Sequence, residues 1–438
     1  MSLPESCERV LRDFYHERFP KKAFIPGETP IPPSGKVFDA SECLRMTEAV
    51  MDGWWTEGRF AKEFELKLRS YLGRAFCITT NSGSSANLLA LSALTSRRLG
   101  DRRLKKGDEV ITVAAGFPAT ITPIIQNQCI PVFVDIDPQT YNVDLNYLET
   151  ALSEKTRAVM IAHTLGNPFP AQEVLDFCER HHLWLIEDTC DALGSFYRGK
   201  LTGTFGHIST FSFYPAHHIT MGEGGALTTQ DALLSKIIRS FRDWGRDCWC
   251  EPGKDNTCGC RYGWKMGTLP KGYDHKYVYS EVGYNLKLTD MQAALGVAQM
   301  EKLADFGRAR RENYKILREG LRSFEHFLQF PDPTPDADPS WFGFLITIKP
   351  GAPFTRDQLV SFLNQRKIGT RYLFAGNIVR QPLFVGSDIS HRVIGDLSVS
   401  DNVMLQTFWI GCYPGLSSEM LQFVIDSFSE FMQPFTSV

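Results

Sequence analysis

The chain has 438 residues, of which 43% are apolar and 22% charged, as in globular proteins and unlike disordered, collagen-like or coiled-coil chains. Its formal net charge of −3 gives no basic field for a nucleic-acid backbone, and no apolar run is long enough to span a bilayer. Because the N-terminal residues lack the apolar core of a signal peptide, we expect a cytoplasmic protein. Its 11 cysteines are then more typical of metal ligands, reactive thiols or buried residues than of disulfides.

The first two thirds of the chain predict an α/β domain. Residues 1–40 are interpreted as an N-terminal arm, and residues 41–300 as a large cofactor-binding domain. Short apolar runs there alternate with polar helical segments such as 144–152 and 171–182, which favours a mostly parallel sheet covered by helices on both faces. Ligands of such sheets bind beyond the carboxyl ends of the strands. The strand-like runs are residues 110–113, 131–134, 158–161 and 183–186.

The remainder of the chain predicts an insertion and a second domain. Residues 244–280 are rich in Gly, Lys, Cys and aromatic residues without a clear period, which is typical of a long irregular insertion. Helical spacing resumes at 288–298 and again at 306–323. After a Pro-rich linker at 331–335, a strand at 341–348 and a helix opened by a capping box at Thr355 and Gln358 predict a smaller α+β domain over residues 301–438.

Two turns could hold a ligand. Residues 81–87 form a small-residue turn that opens an apolar helix, and its free N–H groups suit a phosphate. An ordinary helix cap is the alternative, and the motif alone favours it. Asp188 follows the predicted strand at 183–186, and a carboxylate at this end of a strand can hold a pyridine nitrogen protonated. A surface aspartate in a loop is the alternative there.

Residues 212–225 carry the most information. Ser212-Phe213, followed by the run 222–225 (Gly-Glu-Gly-Gly), resembles the sugar aminotransferases of the DegT/DnrJ/EryC1/StrS family, which use pyridoxal phosphate. The resemblance implies a fold type I aminotransferase fold, with a mostly parallel mixed sheet in the large domain and a smaller C-terminal α+β domain. The family carries a lysine where this chain has His217, and the nearest lysines are Lys200 and Lys236.

The same resemblance implies the cofactor contacts. Phe117 would stack on the ring and Asp188 would bind the pyridine nitrogen. Asn285 would reach the phosphate of the neighbouring subunit, which implies a homodimer with shared active sites. The remaining implied contacts are with the cofactor phosphate, at Gly83, Ser84, Ser85 and Ser212.

The missing lysine changes the expected chemistry. Histidine cannot hold the cofactor covalently, so we expect pyridoxamine phosphate, with His217 as the general base. This departure resembles the 3-dehydrase branch of the family, which removes the 3-hydroxyl from nucleotide-linked 4-keto-6-deoxyhexoses. We interpret Asp191 and Tyr214 as orienting groups and Phe342 as packing against sugar or ring, although Phe342 could be a plain core residue. A non-catalytic sugar-nucleotide-binding relative is the alternative.

The cysteines separate two kinds of dehydrase. Cys190, Cys248, Cys250 and Cys258 are separated by 57, one and seven residues. This spacing resembles that of the 3-dehydrases that act on CDP-4-keto-6-deoxyglucose, and it implies a [2Fe–2S] cluster, for which soft thiolates are suited. It also implies an NAD(P)H-dependent flavin/iron–sulfur reductase as partner and a 3,6-dideoxyhexose product, as in bacterial O-antigens.

A local four-cysteine set leaves a second interpretation open. Cys260 would join Cys248, Cys250 and Cys258 around a structural zinc. The enzyme would then be a hydrolytic dehydratase that regenerates its amine from glutamate. Neither the nucleotide, which could be CDP, GDP or dTDP, nor the sugar stereochemistry follows from the residues.

Overall fold

A computed structural model describes residues 3–248, 250 and 253–436. The predicted arm, insertion and C-terminal domain include residues 1–2, 249, 251–252 and 437–438, which lie outside the described residues. The helices are α1 (Glu5–Arg18), α2 (Ala40–Met51), α3 (Arg59–Leu72), α4 (Gly83–Ala93), α5 (Pro118–Gln126), α6 (Leu148–Ala151), α7 (Ala171–Arg180), α8 (Ala232–Arg242), α9 (Asp290–Met300), α10 (Leu303–Gly320), α11 (Arg356–Gln365), α12 (Ser398–Gln406) and α13 (Ser418–Thr436).

The strands belong to three sheets. They are β1 (Phe76–Thr80), β2 (Glu109–Val113), β3 (Ile130–Val134), β4 (Thr156–Ala162), β5 (Trp184–Asp188), β6 (Phe196–Tyr197), β7 (Lys200–Leu201), β8 (Ile208–Ser212), β9 (Gly225–Thr229), β10 (Leu328–Gln329), β11 (Ala337–Asp338), β12 (Gly343–Ile348), β13 (Thr370–Tyr372), β14 (Arg392–Val393) and β15 (Thr407–Gly411).

The largest sheet has eight strands in the order β1-β9-β8-β5-β4-β2-β3-β14. Strand β9 runs antiparallel to both of its neighbours, and the other pairs are parallel. Both faces of the central strands are buried because alternate residues of a strand enter different cores. Ile111 packs in one core while its neighbour Val110 packs in the other. The predicted α/β fold class is therefore confirmed.

A second sheet, β10-β12-β15-β13, is antiparallel and supports the C-terminal part of the chain. Phe344 and Phe408 face a core shared with α10, α11 and α13. On the opposite face, Leu345 and Trp409 pack into a core of the large sheet. This contact brings the second sheet against the carboxyl ends of the first.

The chain also returns to the large sheet after this second sheet has begun. Strand β14 pairs in parallel with β3 at its edge. The three-part division of the chain at residues 40 and 300 stays a prediction.

The expected helix at 144–152 is instead a 3₁₀ turn followed by α6, because the Asp144 side chain accepts the N–H of Asn146 and holds a tight turn.

Two further features set the surroundings of the site. The described residues of 244–280 form a 3₁₀ turn at His275–Tyr277 but no α-helix or named strand, as the irregular composition predicts. Across the described residues, no helix combines the length and apolar character needed to cross a bilayer. Strands β4, β5 and β8 end at one edge of the large sheet, and the candidate site lies there.

Candidate active site

The turn before α4 forms a cradle for an anion. Ser82 caps the helix, and its hydroxyl accepts the N–H of Ser85 at 3.0 Å. Gly83 lies so close to Ser212 that an added Cβ would collide with the serine Cβ, so only glycine brings the helix backbone against that hydroxyl. Gly83, Ser84 and Ser212 line the cavity. Ser85, also predicted at the phosphate, is engaged in the cap.

Asp188, the last residue of β5, is buried and held by three donors. One carboxylate oxygen accepts the Asn87 amide and the Thr120 hydroxyl, each at 2.7 Å, and the other accepts the Cys190 N–H at 3.0 Å. Thr210 in turn donates to the Asn87 amide oxygen at 2.6 Å. The network fixes the orientation of a carboxylate that borders the cavity.

Aromatic side chains line the cavity from both sheets. Phe117 is the N-cap residue of α5 and is 51% exposed. Its ring meets the edge of Phe374 at a centroid distance of 5.7 Å, and Phe374 is held at a positive φ of 45°. Such a backbone conformation is unfavourable for a bulky residue. Since an exposed ring beside an anion cradle offers a stacking face, Phe117 suits a planar cofactor.

The four predicted catalytic residues gather at the same cavity. The Nδ1 atom of His217 lies 3.3 Å from a carboxylate oxygen of Asp191, an ion-pair distance without hydrogen-bond geometry. The His217 N–H donates to the Tyr214 carbonyl at 2.9 Å. The His217 ring lies 5.3 Å from the ring of Phe342 and 6.5 Å from that of Tyr214, measured between centroids. An imidazole oriented by a carboxylate can move protons at this place.

The next histidine along the chain has a different environment. His218 is buried, and its Nε2 atom donates to the Ser340 carbonyl at 2.7 Å. Burial lowers the pKa of His218 well below its usual range, and the nearby Arg310 charge lowers it further. His218 therefore stays neutral and structural, whereas His217 borders the cavity.

The cavity has a volume of about 610 Å³, within the range of cofactor and ligand sites. No lysine is among its lining residues in the described part of the chain. An anion cradle, a fixed carboxylate and an exposed ring suit a pyridoxal-type cofactor held without a covalent bond. The lining includes Ser34, Gly83, Ser84, Asn87, Phe117, Thr120, Asp188, Cys190, Asp191, Ser212, Tyr214, His217, Phe342, Arg371, Phe374 and Trp409.

The insertion forms a group of thiols around a histidine. Ligand atoms of Cys248, Cys250 and His275 lie within 4.8 Å of one another. The Cys258 sulfur lies 3.8 Å from Nε2 of His275, whose ring stacks on Trp264 at 5.0 Å. These soft donors could hold a thiophilic metal.

Cys190 has different surroundings from the group of Cys248, Cys250 and His275. It lines the main cavity, and among the described residues no set of three or more clustered metal-ligand groups includes it. Burial raises the pKa of the Cys190 thiol, and the Asp188 and Asp191 charges raise it further. In the insertion, hydrogen bonding to the Thr257 side chain lowers the pKa of Cys250 to about 6.

Asn285 lies outside the cavity. It is exposed and accepts a hydrogen bond from Lys287 at 2.8 Å. Its backbone forms an isolated bridge with Asp243, where the chain leaves the insertion. Its predicted contact with a neighbouring subunit stays a prediction.

Sequence reasoning missed three residues at these sites. Asn87 lies one helical turn beyond Gly83, and Thr120 lies in the first turn after Phe117. Each is close in sequence to a residue that was predicted, and this closeness was the signal that could have found it. His275 lies within the cysteine-rich segment, where a histidine is itself a potential ligand.

Known proteins are similar to this chain in sequence and in fold. Residues 37–429 match the DegT/DnrJ/EryC1/StrS aminotransferase family. The lipopolysaccharide biosynthesis protein RfbH of Salmonella typhimurium is 56% identical over 430 residues, which cover 98% of both chains. A dTDP-4-dehydro-2,6-dideoxy-D-glucose 3-dehydratase of Saccharopolyspora spinosa is 52% identical, over 98% of this chain and 93% of its own.

A solved structure has the same architecture. It is the Escherichia coli GDP-4-keto-6-deoxy-D-mannose-3-dehydratase with bound hydrated PLP. The two structures superpose with a TM-score of 0.81 at 27% sequence identity, over 91% of this chain and 98% of the other.

Proposed function

Because the chain belongs to the DegT/DnrJ/EryC1/StrS aminotransferase family, we propose that it is a 3-dehydrase of nucleotide-linked 4-keto-6-deoxyhexoses. The observation that carries the proposal is His217, which stands at the family's lysine position, 3.3 Å from Asp191. More coarsely, the chain is a pyridoxal- or pyridoxamine-phosphate-dependent 3-dehydratase or a related sugar-nucleotide enzyme. Two of its relatives are named as 3-dehydratases of sugar nucleotides.

The cofactor would be pyridoxamine phosphate. When bound, it supplies an amine for the substrate ketone and a ring that accepts electrons. Gly83, Ser84 and Ser212 would hold its phosphate, and Phe117 would stack on its ring. Asp188 would hold the pyridine nitrogen, with Asn87 and Thr120 keeping that carboxylate in place.

His217 would move the proton that dehydration requires. An imidazole can take a proton beside the ring and deliver it toward the leaving 3-hydroxyl. Asp191 would orient this imidazole, and Tyr214 and Phe342 would border the sugar. No lysine competes among the described residues that line the cavity, so this arrangement disfavours amine transfer as the main outcome.

Coupling to reduction is the finer part of the proposal. Cys190, Cys248, Cys250 and Cys258 would bind a [2Fe–2S] cluster that takes electrons from an NAD(P)H-dependent flavin/iron–sulfur reductase. The spacing of these cysteines supports this, as does the gathering of thiols in the insertion. Cys190 borders the cavity two residues after Asp188, which would bring a cluster close to the ring. Electron transfer needs such proximity.

The active unit would be a homodimer in which Asn285 reaches the partner's cofactor phosphate. This residue is exposed and lies outside the cavity of its own chain, which is compatible with a role in a second site. The product would be a nucleotide-linked 4-keto-3,6-dideoxyhexose, as used in bacterial lipopolysaccharide.

One observation favours a second candidate. The local group of Cys248, Cys250 and His275 does not include Cys190, which fits a self-contained metal site in the insertion. A structural zinc there would accompany a hydrolytic dehydratase that regenerates its amine from glutamate.

One experiment separates the candidates. The protein is purified without oxygen, and its iron, acid-labile sulfide and zinc are measured. It is then assayed with CDP-, GDP- and dTDP-linked 4-keto-6-deoxyhexoses, with either glutamate or a chemical electron donor. Iron, sulfide and donor-dependent deoxygenation support the redox enzyme. Zinc with glutamate-dependent turnover supports the hydrolytic one, and an amino sugar as the main product contradicts both.

A further inference from the structure

Arg310 is a buried arginine on α10 that contacts the backbone of the segment carrying His217. Its side chain is among the largest fully buried ones, at 1% exposure. One guanidinium nitrogen donates to the His217 carbonyl at 3.2 Å. The other donates to the carbonyls of Trp341 and Phe342 at 3.1 and 3.3 Å. One charged group thus joins the segment that carries His217 to the segment that carries Phe342.

These acceptors are unusual partners for a buried arginine. Among the described residues, all three hydrogen-bond acceptors of Arg310 are backbone carbonyls, and no carboxylate forms an ion pair with it. Burial lowers the pKa of Arg310 to about 10, so it stays charged at neutral pH. Burying a charge without a paired carboxylate is costly, and an apolar side chain would fill the same space more favourably.

A second contact joins the same two segments. His218 donates to the Ser340 carbonyl at 2.7 Å, one residue before Trp341. Residues 217–218 and 340–342 are therefore connected in two ways, through the hydrogen bonds of Arg310 and through that of His218. Of these two contacts, that of Arg310 reaches the residues that border the cavity, His217 and Phe342.

We propose that Arg310 is a positioning residue for dehydration, which holds His217 beside Asp191 and Phe342 over the cavity. The inference rests on the proposed role of His217 as the base. A small displacement of that imidazole lengthens the path of the proton, and a shift of about 1 Å can cost about a hundredfold in rate.

The test compares substitutions of two neighbouring arginines. Arg310→Met keeps the length of the side chain and removes its donors, whereas Arg310→Lys keeps the charge. Arg311→Met is the matched control, because Arg311 lies on the same helix but donates to Asp338 at 2.6 Å and to Gly194 at 2.9 Å. Each variant is measured for cofactor binding, for kcat and KM, and for solvent exchange of the cofactor methylene protons with substrate present.

We expect Arg310→Met to lose about 10- to 100-fold in kcat and in methylene exchange, while KM and cofactor binding change less than about twofold. Arg310→Lys should recover part of the loss, and Arg311→Met should behave as the parent. If Arg310→Met does not fold, Arg310→Lys alone decides, since it should lower kcat without changing KM. Parent-like rates in both Arg310 variants, or equal losses in kcat, KM and cofactor binding, would overturn the inference. If the unmodified enzyme shows no methylene exchange, the proposed function itself fails and the inference falls with it.

Discussion

At the scale of single residues, the proposed function depends most on one side chain, that of His217. By the resemblance to the family, His217 would take the place of a lysine, and it borders the same cavity as Gly83 and the Asp188 carboxylate. The neutral amine of a lysine can form an imine with a pyridoxal carbonyl, with loss of water, whereas an imidazole can only exchange protons there. One substitution of this kind can therefore redirect the outcome from amine transfer to loss of a hydroxyl.

We expect His217→Asn to keep the cofactor and lose dehydration by about two to four powers of ten, the usual effect of removing a positioned base. Asparagine retains polarity and similar size but cannot carry the proton. The measurements are cofactor absorbance, which reports binding, and the rate of product formation. Unchanged turnover would remove His217 from the mechanism.

The residues expected to contact cofactor or substrate themselves were predictable from the sequence. The residues that act by holding another residue of the site in place were not. Gly83, Asp188 and His217 each belong to a short motif that can be recognised locally. The Asn87 contact with Asp188 spans 101 residues of sequence, and the Thr120 contact spans 68. Only the parallel order of β5 between β8 and β4 brings these elements together. The same reason hides Arg310, which reaches His217 across 93 residues.

At the scale of elements, capping explains which boundaries were predictable. The capping box at Thr355 and Gln358 is confirmed, and α11 begins at Arg356 as its pattern indicates. Helix α12 has no capping box, since its N-cap residue Leu397 has no capping side chain and a positive φ. Asp135, which follows β3, caps this helix instead by accepting the N–H groups of Val399 and Ser400 at 2.9 Å each. A cap supplied from a distant segment leaves no trace in the helix sequence.

We expect Asp135→Ala to lower the free energy of unfolding by about 2–4 kcal/mol, because two N–H groups and the Ser400 hydroxyl lose a buried acceptor. Asp396→Ala is the matched control, since Asp396 is exposed and accepts only the Ser398 N–H at the same helix start. Its loss should stay near 1 kcal/mol, at about the usual effect of a cap. Urea unfolding of both variants measures the difference, and a larger loss for Asp396→Ala would contradict this account.

A histidine beside β5 makes stability depend on pH. The Nδ1 atom of His207 accepts the Leu185 N–H at 3.0 Å, so protonation would break that bond. Burial, together with the charges of Arg102 and Arg74, lowers the pKa of His207 from 6.5 to about 4. Between these two values only the unfolded chain takes up the proton, so stability falls as the pH drops through that window.

We expect His207 to account for a loss of about 2 kcal/mol between pH 7 and pH 5. His207→Gln should remove this part of the pH dependence, since glutamine does not titrate. The exposed His16→Gln is the control and should leave the dependence unchanged. The readout is the urea midpoint at both pH values, and equal pH dependence in the parent and the His207 variant would rule out this role.

At the scale of the whole molecule, the cavity is built from both large parts of the chain. Asp188 ends β5 of the eight-stranded sheet and Gly83 opens α4 beside it, whereas the lining residues Phe342, Arg371 and Trp409 come from the four-stranded sheet and its surroundings. The α/β pattern predicted the first of these sheets and its ligand edge. It could not predict β14, because a two-residue strand has no recognisable period.

Electron transfer from the thiols of the insertion to the cavity depends on how the whole molecule arranges these two regions. We expect Cys190→Ser to bind cofactor and to exchange methylene protons normally, but to fail to reduce substrate with dithionite and methyl viologen as electron donors. The reason is that Cys190 alone among the proposed cluster ligands borders the cavity. The exposed Cys7→Ser is the control and should reduce substrate normally. Normal reduction by Cys190→Ser would show that Cys190 is no ligand.

The return of the chain through β14 limits how such enzymes can be recombined. Arg392 donates to Glu109 at 2.8 Å while its strand pairs with β3, and Asp135 caps α12 a few residues later. In a hybrid of two relatives joined near residue 300, Glu109, β3 and Asp135 would come from one parent, and Arg392, β14 and α12 from the other. The side chains that meet in these contacts would then no longer be matched. A junction before Glu109 keeps them on one parental sequence. Such a junction separates Asn87 from Asp188 and β1 from β9, so an exchange of segments between relatives has to match contacts on both sides of the crossover.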